Sequence, residues 1–410
     1  MDDCCEEYAG LSRRGLLRGA LGVAGVSAAT SMFGATFLQT AYGATRPVPR
    51  VLVLLSLRGA ADGLSLVVPH GDPAYYAARP RIAVPAANLL AKDAFFGLHP
   101  RLAPLLPLWN AGKVAAIHAT GQPVVNRSHF DAMEKLEDAN PGSSQRVGWI
   151  NRLVGRDGYH HPLQAVGFGM SSPIGALYGP EPTVTATSMD AIALSGADAR
   201  GRRTSSIRTL WGTAGGPLGS GARSALATIA DFAPAKRVPA RGGYANDDLG
   251  SALSSAARTI KANIGAEVIA VDHDGGWDMH TDLGTLDRGR MIGAAGSLAT
   301  SLAAFFADLG TWASRVTVVT VSEFGRRVKE NGNQGLDHGY GNVMLVLGAG
   351  VKGGYYGSWP GLTNSLDADL PVTTDYRSVL AEVVSKRLGA STAQVFPGFA
   401  PEPVGAVLST

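Results

Sequence analysis

The chain contains very little cysteine. Its 410 residues include only two, Cys4 and Cys5, which are adjacent and close to the N-terminus. From residue 6 onward the protein can therefore form no disulfide with itself, and a metal site there must be built from histidine and carboxylate side chains. Charge is also sparse, because 17% of the residues are charged, the formal net charge is +3, and no long acidic or basic run occurs. This balance argues against nucleic acid as a partner.

Several catalytic motifs are missing as well. The sequence has no Walker loop, no HExxH zinc helix and no nucleophile elbow. Residues 348–353, GAGVKG, have the glycine spacing of a dinucleotide-binding turn. The following residues, 354–360, contain two glycines and a proline and predict a loop, whereas pyrophosphate binding requires a helix to begin there. The glycine pattern is therefore a weak match and does not indicate a nucleotide cofactor.

The N-terminus has the form of a targeting signal. Arg13 and Arg14 are followed by a stretch of mostly uncharged residues, rich in Gly, Ala and Val, which leads to small residues around Gly43 and Ala44. This pattern predicts a twin-arginine export signal over residues 1–44, with cleavage near Gly43 or Ala44 and a periplasmic or secreted product. The alternative is a retained membrane anchor, but the stretch is weakly apolar for a membrane span. No second stretch is expected to cross a membrane, so we expect no stable span after cleavage.

The remaining residues, 45–410, alternate between buried-strand patterns and helical patterns. Runs of mainly apolar and β-branched residues, of the kind found in strands covered on both faces, occur at residues 51–57, 114–118, 267–271, 316–321 and 343–347. They predict a single α/β domain with a mostly parallel central sheet and helices on both faces. Residues 199–245 are rich in Gly, Ser, Arg and Pro and predict a loop-rich insertion.

Polar side chains follow two of these runs directly. Asp62 lies in a glycine-rich turn after the first run, and Glu323 follows the run at 316–321, with Asp337 and His338 in the next loop. In open α/β sheets, chemistry takes place at the carboxyl ends of the strands. Asp62 either binds a cation or only shapes the turn, since Asp before Gly is ordinary turn chemistry.

Two further segments offer candidate site residues. Residues 272–282 hold several Asp and two His around a Trp, which indicates a metal or substrate site, with a solvated loop as the alternative. Ser128 precedes a predicted helix, and Asp131 follows three residues later. Ser128 is either a plain helix cap or a nucleophile placed where free N–H groups favour an anion.

Several of these segments, taken together and in this order, resemble a known family. They are residues 58–72, 126–131, 273–280, 322–327, 337–339 and 373–380. The chain is similar in them to the exported bacterial proteins called domain of unknown function family 1501. That family is in turn distantly similar to the alkaline phosphatase and sulfatase superfamily, and the resemblance implies an alkaline-phosphatase-like fold.

The more distant resemblance implies roles for particular residues. Ser128 stands at the place of the nucleophile, and Asp278, His280, His338, Asp62 and Glu323 stand at the places of metal ligands. The superfamily's Asp-His-Gly is replaced here by residues 323–325, Glu-Phe-Gly. Because Phe324 cannot coordinate a metal, a second metal ion is in doubt.

Two hypotheses of different classes follow. The first is an exported metal-dependent hydrolase of phosphate or sulfate esters, with a divalent metal, zinc by its ligands, and a small anionic ester as its substrate. Two imidazoles and a carboxylate, from His280, His338 and Asp278, suit zinc with an open fourth position. The second is a non-catalytic periplasmic binding or assembly protein that retains the fold and acts on an unknown partner.

Overall fold

The computed structural model describes residues 45–194, 198 and 201–409. The predicted export signal and its cleavage site lie outside these residues. The fold is organised around one large sheet, whose strands are β1 (Val51–Leu57), β4 (Val114–Gly121), β5 (Ala165–Phe168), β6 (Val184–Ala186), β7 (Val268–His273), β8 (Val316–Val321), β9 (Asn342–Gly348), β10 (Gly354–Tyr356) and β11 (Thr374–Asp375). The short strands β2 (Val67–Val68) and β3 (Gly97–Leu98) form a separate antiparallel pair.

The strand order is β10-β4-β9-β8-β1-β7-β5-β6, with β11 paired to β4. The first strand therefore lies in the interior of the sheet, between β8 and β7, and pairs with both in parallel. Among the strands of this sheet that the structure describes, only β9 runs antiparallel to its neighbours, which are β4 and β8. The prediction of a mostly parallel α/β sheet is confirmed.

Helices cover both faces of the sheet. They are α1 (Gly63–Leu66), α2 (Pro73–Ala78), α3 (Leu106–Asn110), α4 (His129–Asp138), α5 (Trp149–Leu153), α6 (Arg202–Trp211), α7 (Gly216–Asp231), α8 (Ala233–Arg237), α9 (Asp248–Ala262), α10 (Arg290–Leu309), α11 (Tyr376–Leu388) and α12 (Thr392–Val395). The prediction that residues 199–245 are rich in loops is wrong, since the helices α6, α7 and α8 occupy most of this segment. Glycine and serine lower helix propensity, but buried alanines such as Ala222 and Ala225 supply a packed face.

Alternation along β1 shows how the two faces are filled. Val53 and Leu55 pack into one apolar cluster together with α9 and α10, and Leu52 and Leu54 pack into another with α4, α5 and α11. Successive side chains of a strand point to opposite faces, so a strand buried on both is apolar along most of its length. This explains why every residue of Val51–Leu57 except Ser56 is apolar.

One described segment, Arg290–Arg315, is long and apolar enough to cross a membrane by length and composition, with a mean hydropathy of 1.4. This corrects the expectation that no stretch after the signal reaches that length and hydropathy. The segment comprises α10 and the 3₁₀ turn after it, and 56% of its apolar window is buried. Residues such as Leu298 and Phe305 lie in the core, as in a central helix of an α/β protein.

The antiparallel strand β9 has a direct consequence for the loops. Because β9 runs opposite to β8, it begins at the edge of the sheet where β8 ends. The connection over residues 322–341 therefore stays at this carboxyl edge instead of crossing the sheet. The ends of β1, β4 and β7 lie at the same edge, which brings four loops together.

Candidate metal centre

Three imidazoles and one carboxylate converge at the carboxyl edge of the sheet. His129 is the first residue of α4, Asp278 and His280 follow β7, and His338 lies in the loop between β8 and β9. The Nε2 atom of His338 lies 3.0 Å from Nε2 of His129 and 2.9 Å from Nε2 of His280. Asp278 Oδ1 lies 3.6, 3.1 and 3.5 Å from the Nε2 atoms of His129, His280 and His338. We call these four residues the His/Asp cluster.

The other ring nitrogen of each histidine is held by an acceptor. The Nδ1–H of His129 donates to Glu323 at 2.7 Å, that of His280 to Asp337 at 3.2 Å, and that of His338 to the carbonyl of Arg127 at 2.8 Å. Carboxylates and carbonyls only accept, so these contacts assign the proton to Nδ1.

The tautomers decide whether the cluster fits a metal. With Nδ1 protonated, each Nε2 presents a lone pair, and that of His338 lies about 3 Å from the Nε2 atoms of both His129 and His280. Such crowding is unfavourable without a positive charge among the nitrogens, supplied by an extra proton or by a cation. Imidazole ligands whose second nitrogen donates to a carboxylate or carbonyl are the usual arrangement around zinc. The residues present therefore fit a zinc ion.

A buried guanidinium joins the loops that carry the cluster. Arg326 donates to the carbonyls of Ala60 at 2.7 Å, Gly59 at 2.6 Å and Leu336 at 3.1 Å, and to Asp278 Oδ1 at 2.5 Å. Its side chain is almost fully buried. Arg326 thus fixes the carboxylate of the cluster relative to the loops after β1 and β8.

Glycine is required where the loop of His338 folds back on itself. Arg326 and His338 form an antiparallel bridge, so the chain segments before and after them are in contact. A Cβ atom at Gly325 would lie 1.8 Å from the carbonyl oxygen of Gly341, and one at Gly339 would lie 2.3 Å from the carbonyl carbon of Arg326. Both positions exclude any larger residue, which accounts for the glycines in the motifs at 323–325 and 337–339.

The environment shifts the pKa values of the cluster in different directions. The hydrogen bond to Glu323 raises the pKa of His129, whereas burial lowers the pKa of His338. Burial alone would raise the pKa of Asp278, but the hydrogen bond and charge of Arg326 outweigh it and hold the pKa below its ordinary value. The carboxylate is therefore ionised and ready to bind a cation.

Glu323 is not placed as a direct metal ligand. Its side chain is completely buried and accepts hydrogen bonds from Nδ1 of His129 and from the backbone N–H of Gly59, at 2.9 Å. The pKa of this carboxyl is held below its usual range, because the His129 contact and backbone N–H groups outweigh its burial. Glu323 orients His129 and belongs to the outer layer of the centre.

Asp62 is also placed differently from its predicted role. Both of its carboxylate oxygens accept from the fully buried Arg79, at 2.5 and 3.0 Å. A carboxylate already neutralised in this way has no free charge for a cation. The second metal site, which would have depended on Asp62 and Glu323, therefore loses both of its expected ligands.

Ser128 lies next to the cluster but is seen in the role of a cap. Its Oγ accepts from the backbone N–H of Asp131 at 3.5 Å, at the N-terminus of α4. That distance is at the limit of a hydrogen bond, so the cap holds the hydroxyl loosely. Phe324 packs its ring 4.9 Å from that of His129 and 5.0 Å from that of His338, and so forms an apolar wall of the centre.

A cleft of about 640 Å³ opens beside the cluster. Its walls include His280 and His338 together with three cationic side chains, Arg127, Arg327 and Lys329. The two arginines are paired with acidic residues, Arg127 with Asp369 and Arg327 with Asp367 and Asp369. Lys329 has no ion pair with any residue that the structure describes. The carboxylates of Glu330, Asp337 and Asp367 line the same cleft, and among the described residues Lys329 is its one cation without an ion pair.

The sequence analysis missed His129. The prediction took its neighbour Ser128 as the functional residue, and the same signal applied to both, namely a polar residue at a helix start directly after β4. Asp278, His280 and His338 are brought together by the structure, whereas Glu323 contacts the cluster only behind His129 and Asp62 pairs with Arg79. Among the described residues, His129, Asp278 and His338 each have a ligand atom within 4.8 Å of the other two, close enough to share a metal ion.

The fold and the cluster define an α/β protein with a His/Asp centre at the carboxyl edge of its sheet. A family model described as protein of unknown function (DUF1501) matches residues 240–400, which include Asp278, His280 and His338. This match confirms the predicted resemblance over that range. No curated protein matches the chain at a significant level.

Solved structures with similar folds are of the expected class. One is a protein in the alkaline phosphatase superfamily from Vibrio parahaemolyticus, with 11% identity, a TM-score of 0.33, and coverage of 82% of this chain and 70% of that chain. Another is the C-terminal periplasmic domain of EptC from Escherichia coli in complex with zinc, with 10% identity, a TM-score of 0.33, and coverage of 76% of each chain. A third is a sulfatase from Pseudoalteromonas sp., with 9% identity, a TM-score of 0.33, and coverage of 93% of this chain and 74% of that chain. Because these TM-scores are low, the fold assignment rests on the strand order described above.

Proposed function

We propose that this protein binds one zinc ion at the His/Asp cluster and is an exported hydrolase of phosphate or sulfate esters. The observation that carries the proposal is the convergence of three imidazole Nε2 atoms, each with its Nδ1–H held by an acceptor. No arrangement of neutral imidazoles alone satisfies these contacts.

The ligand set favours zinc among the divalent metals. Imidazole nitrogens and one carboxylate suit zinc, while magnesium and calcium prefer oxygen ligands throughout. The side chains of His280 and Asp278 are 42% and 46% exposed, so solvent and substrate reach the centre from one side. A zinc ion in such a site polarises an ester oxygen and lowers the pKa of water.

The surroundings of the cluster support an anionic ester as substrate. Lys329 provides a positive charge in the cleft, and the N-terminus of α4 points its free N–H groups toward the same edge of the sheet. Ser128, loosely held by its 3.5 Å cap contact, is the proposed attacking hydroxyl. With Asp62 and Glu323 engaged elsewhere, only one metal stabilises the developing charge, so we expect slow turnover.

The alternative, a non-catalytic binding protein, is favoured by one specific observation. Asp62, which the resemblance places at a metal, is neutralised by Arg79, as expected if the second metal site has been replaced by a structural ion pair. In that case zinc would still bind, and the protein would hold an anionic ligand without cleaving it. Metal content and turnover are therefore separate tests.

Both tests use the protein purified without chelator. Elemental analysis should give about one zinc per chain, and His338→Ala should lose most of it. His160→Ala is the matched control, because His160 is exposed and paired with Glu181 away from the cluster. A zinc content unchanged by His338→Ala would contradict the site.

Turnover of an aryl phosphate and an aryl sulfate then separates the two functions. The hydrolase predicts slow release of the phenol that Ser128→Ala abolishes while zinc remains bound. Zinc binding without any turnover would support the binding protein instead. Turnover that survives Ser128→Ala would remove Ser128 from the mechanism.

Export is part of the proposal and has its own test. Changing Arg13 and Arg14 together to Lys should leave the precursor in the cytoplasm. Undiminished accumulation of this variant in the periplasm would contradict twin-arginine export.

A further inference from the structure

Exposed apolar side chains are concentrated around the His/Asp cluster. Seven large hydrophobic side chains are exposed among the described residues, and four of them lie either on the cleft wall or in the chain segment around His129. They are Val124, Val125, Phe130 and Leu366, which are 72%, 45%, 90% and 79% exposed. We call these four the apolar rim. Leaving these side chains exposed forgoes the stabilisation that burying them would give. A group of exposed apolar side chains is typical of a surface that binds an apolar partner.

The rim residues belong to segments that also form the proposed centre or its cleft. Phe130 follows the cluster residue His129 directly, and the loop that holds Val124 and Val125 also holds Arg127, whose carbonyl accepts from His338. Leu366 lines the same cleft as His280 and His338. An apolar group on the rim would therefore extend from an anion bound in the cleft.

The loop also borders a second hollow. This hollow, of about 600 Å³, is lined on one side by Val124, Val125, Pro123 and Pro141 and elsewhere by the polar side chains of Gln122, Asn126, Asp131, Lys135 and Arg377. Each of the two cations is paired with a neighbouring Asp, so the hollow offers an apolar wall with little free charge. An alkyl or aryl chain fits this lining better than a second anion does.

We propose that the substrate is an amphiphile, in which an anionic ester group enters the cleft and an attached apolar chain lies on the apolar rim. This inference rests on the proposed function and specifies its substrate class. Lys329 and the centre hold the anionic end, and Phe130 and Leu366 hold the chain.

The test measures how chain length affects binding. Methyl, butyl and octyl phosphate, each below its micelle concentration, are titrated into the zinc-loaded protein by calorimetry. Full burial of one methylene is worth about fourfold in affinity, and a one-sided surface gives less, so octyl phosphate should bind on the order of 30-fold more tightly than methyl phosphate.

Variants locate the chain. The double variant Phe130→Ser, Leu366→Ser should reduce the octyl advantage to about threefold and leave methyl phosphate binding unchanged. Leu210→Ser is the control, because Leu210 is 69% exposed but lies on α6, away from the cluster. It should leave the octyl advantage intact.

Each other outcome overturns the inference. Equal affinities for the three phosphates, with binding that still requires zinc, would remove the amphiphile and leave the proposed function standing. An octyl advantage that persists in the double variant would place the chain elsewhere. A dimer by sedimentation that Phe130→Ser dissociates would show that a second copy covers the rim. No binding of any alkyl phosphate or of the matching alkyl sulfates, with or without zinc, would refute the inference and the proposed function together.

Discussion

Two polar groups at the same edge of the sheet are built in opposite ways. In the His/Asp cluster, the imidazoles of His129 and His280 both lie against that of His338, and the guanidinium of Arg326 contacts the carboxylate of Asp278. At Asp62, one carboxylate faces one guanidinium, that of Arg79, through two hydrogen bonds. The first group has ligand atoms to spare for a cation, and the second has none.

The difference lies in the charge that each group already contains. A buried ion pair is stable only when its partners satisfy each other, and Arg79 also donates to Ser65 and to the carbonyls of Arg327 and Val328. In the cluster, by contrast, the acceptors lie behind the imidazoles and orient them toward an open centre. Asp62 and the His/Asp cluster both lie at the carboxyl edge of the sheet, so a position at this edge does not by itself make a residue a metal ligand.

The largest expected effect comes from breaking the Asp62–Arg79 pair. Arg79→Met leaves a buried carboxylate without a partner and should lower the free energy of unfolding by about 3–5 kcal/mol, measured by urea denaturation. Zinc content of the folded fraction should stay at about one per chain. Adding Asp62→Asn to this variant should recover part of the stability, and a loss of zinc in Arg79→Met would show that the two groups are coupled.

The outer contacts of the cluster should differ in strength. Glu323→Gln replaces the fully buried carboxylate that accepts from His129 by a neutral amide and should weaken zinc binding by about 10–100-fold. Asp337→Asn, at the exposed acceptor of His280, should weaken it less, since water can replace the carboxylate. Competition with a chromophoric chelator gives both constants, and equal losses in the two variants would contradict this ranking.

A buried histidine outside the cluster provides a contrast in pH dependence. Burial lowers the pKa of His118 to about 3, and its ring stacks on Phe96 at 3.8 Å. Below pH about 6.5 the imidazole of His118 takes up a proton in the unfolded chain but stays neutral in the folded chain. The free energy of unfolding therefore falls as pH drops from about 6.5 toward 3.

His118→Phe removes this loss. The wild type should lose up to about 1.4 kcal/mol per pH unit more than the variant below pH 6.5, measured by urea unfolding between pH 7 and 5. Parallel pH profiles for the two proteins would show that His118 is protonated in the folded state.

The smallest effect is expected from Phe324→His. If Asp62 were free, an imidazole at position 324 would help to build a second metal site, as the superfamily resemblance suggests. Because Asp62 is bound to Arg79 and Glu323 to His129, we expect the zinc content to remain at about one per chain. Two zinc ions per chain in this variant would show that the ion pair yields to a metal.

Much of the fold could be predicted because buried strands leave a clear pattern. The run at Val51–Leu57 forms β1 with the same bounds, and Val316–Val321 forms β8. The helices in 199–245 escaped prediction because Gly and Ser obscure a periodicity that only tertiary packing reveals.

The site was predictable in part for a related reason. Sequence shows which residues lie at the carboxyl edge, and so it identified Asp278, His280 and His338. It does not show which cation each carboxylate meets, since Arg79 is 17 residues from Asp62 and Glu323 is 194 residues from His129. Those pairings, which decide between ligand and outer contact, appear only in the folded chain.

The central claim is that three histidines, including His129, bind one zinc ion. X-ray absorption at the zinc edge of the one-zinc protein tests it directly, because imidazole ligands give a characteristic outer-shell scattering. We predict three imidazoles with zinc–ligand distances of about 2.0–2.1 Å in the wild type, and two in whatever zinc His129→Ala retains. Two imidazoles in the wild type, or the same number in both proteins, would contradict the account.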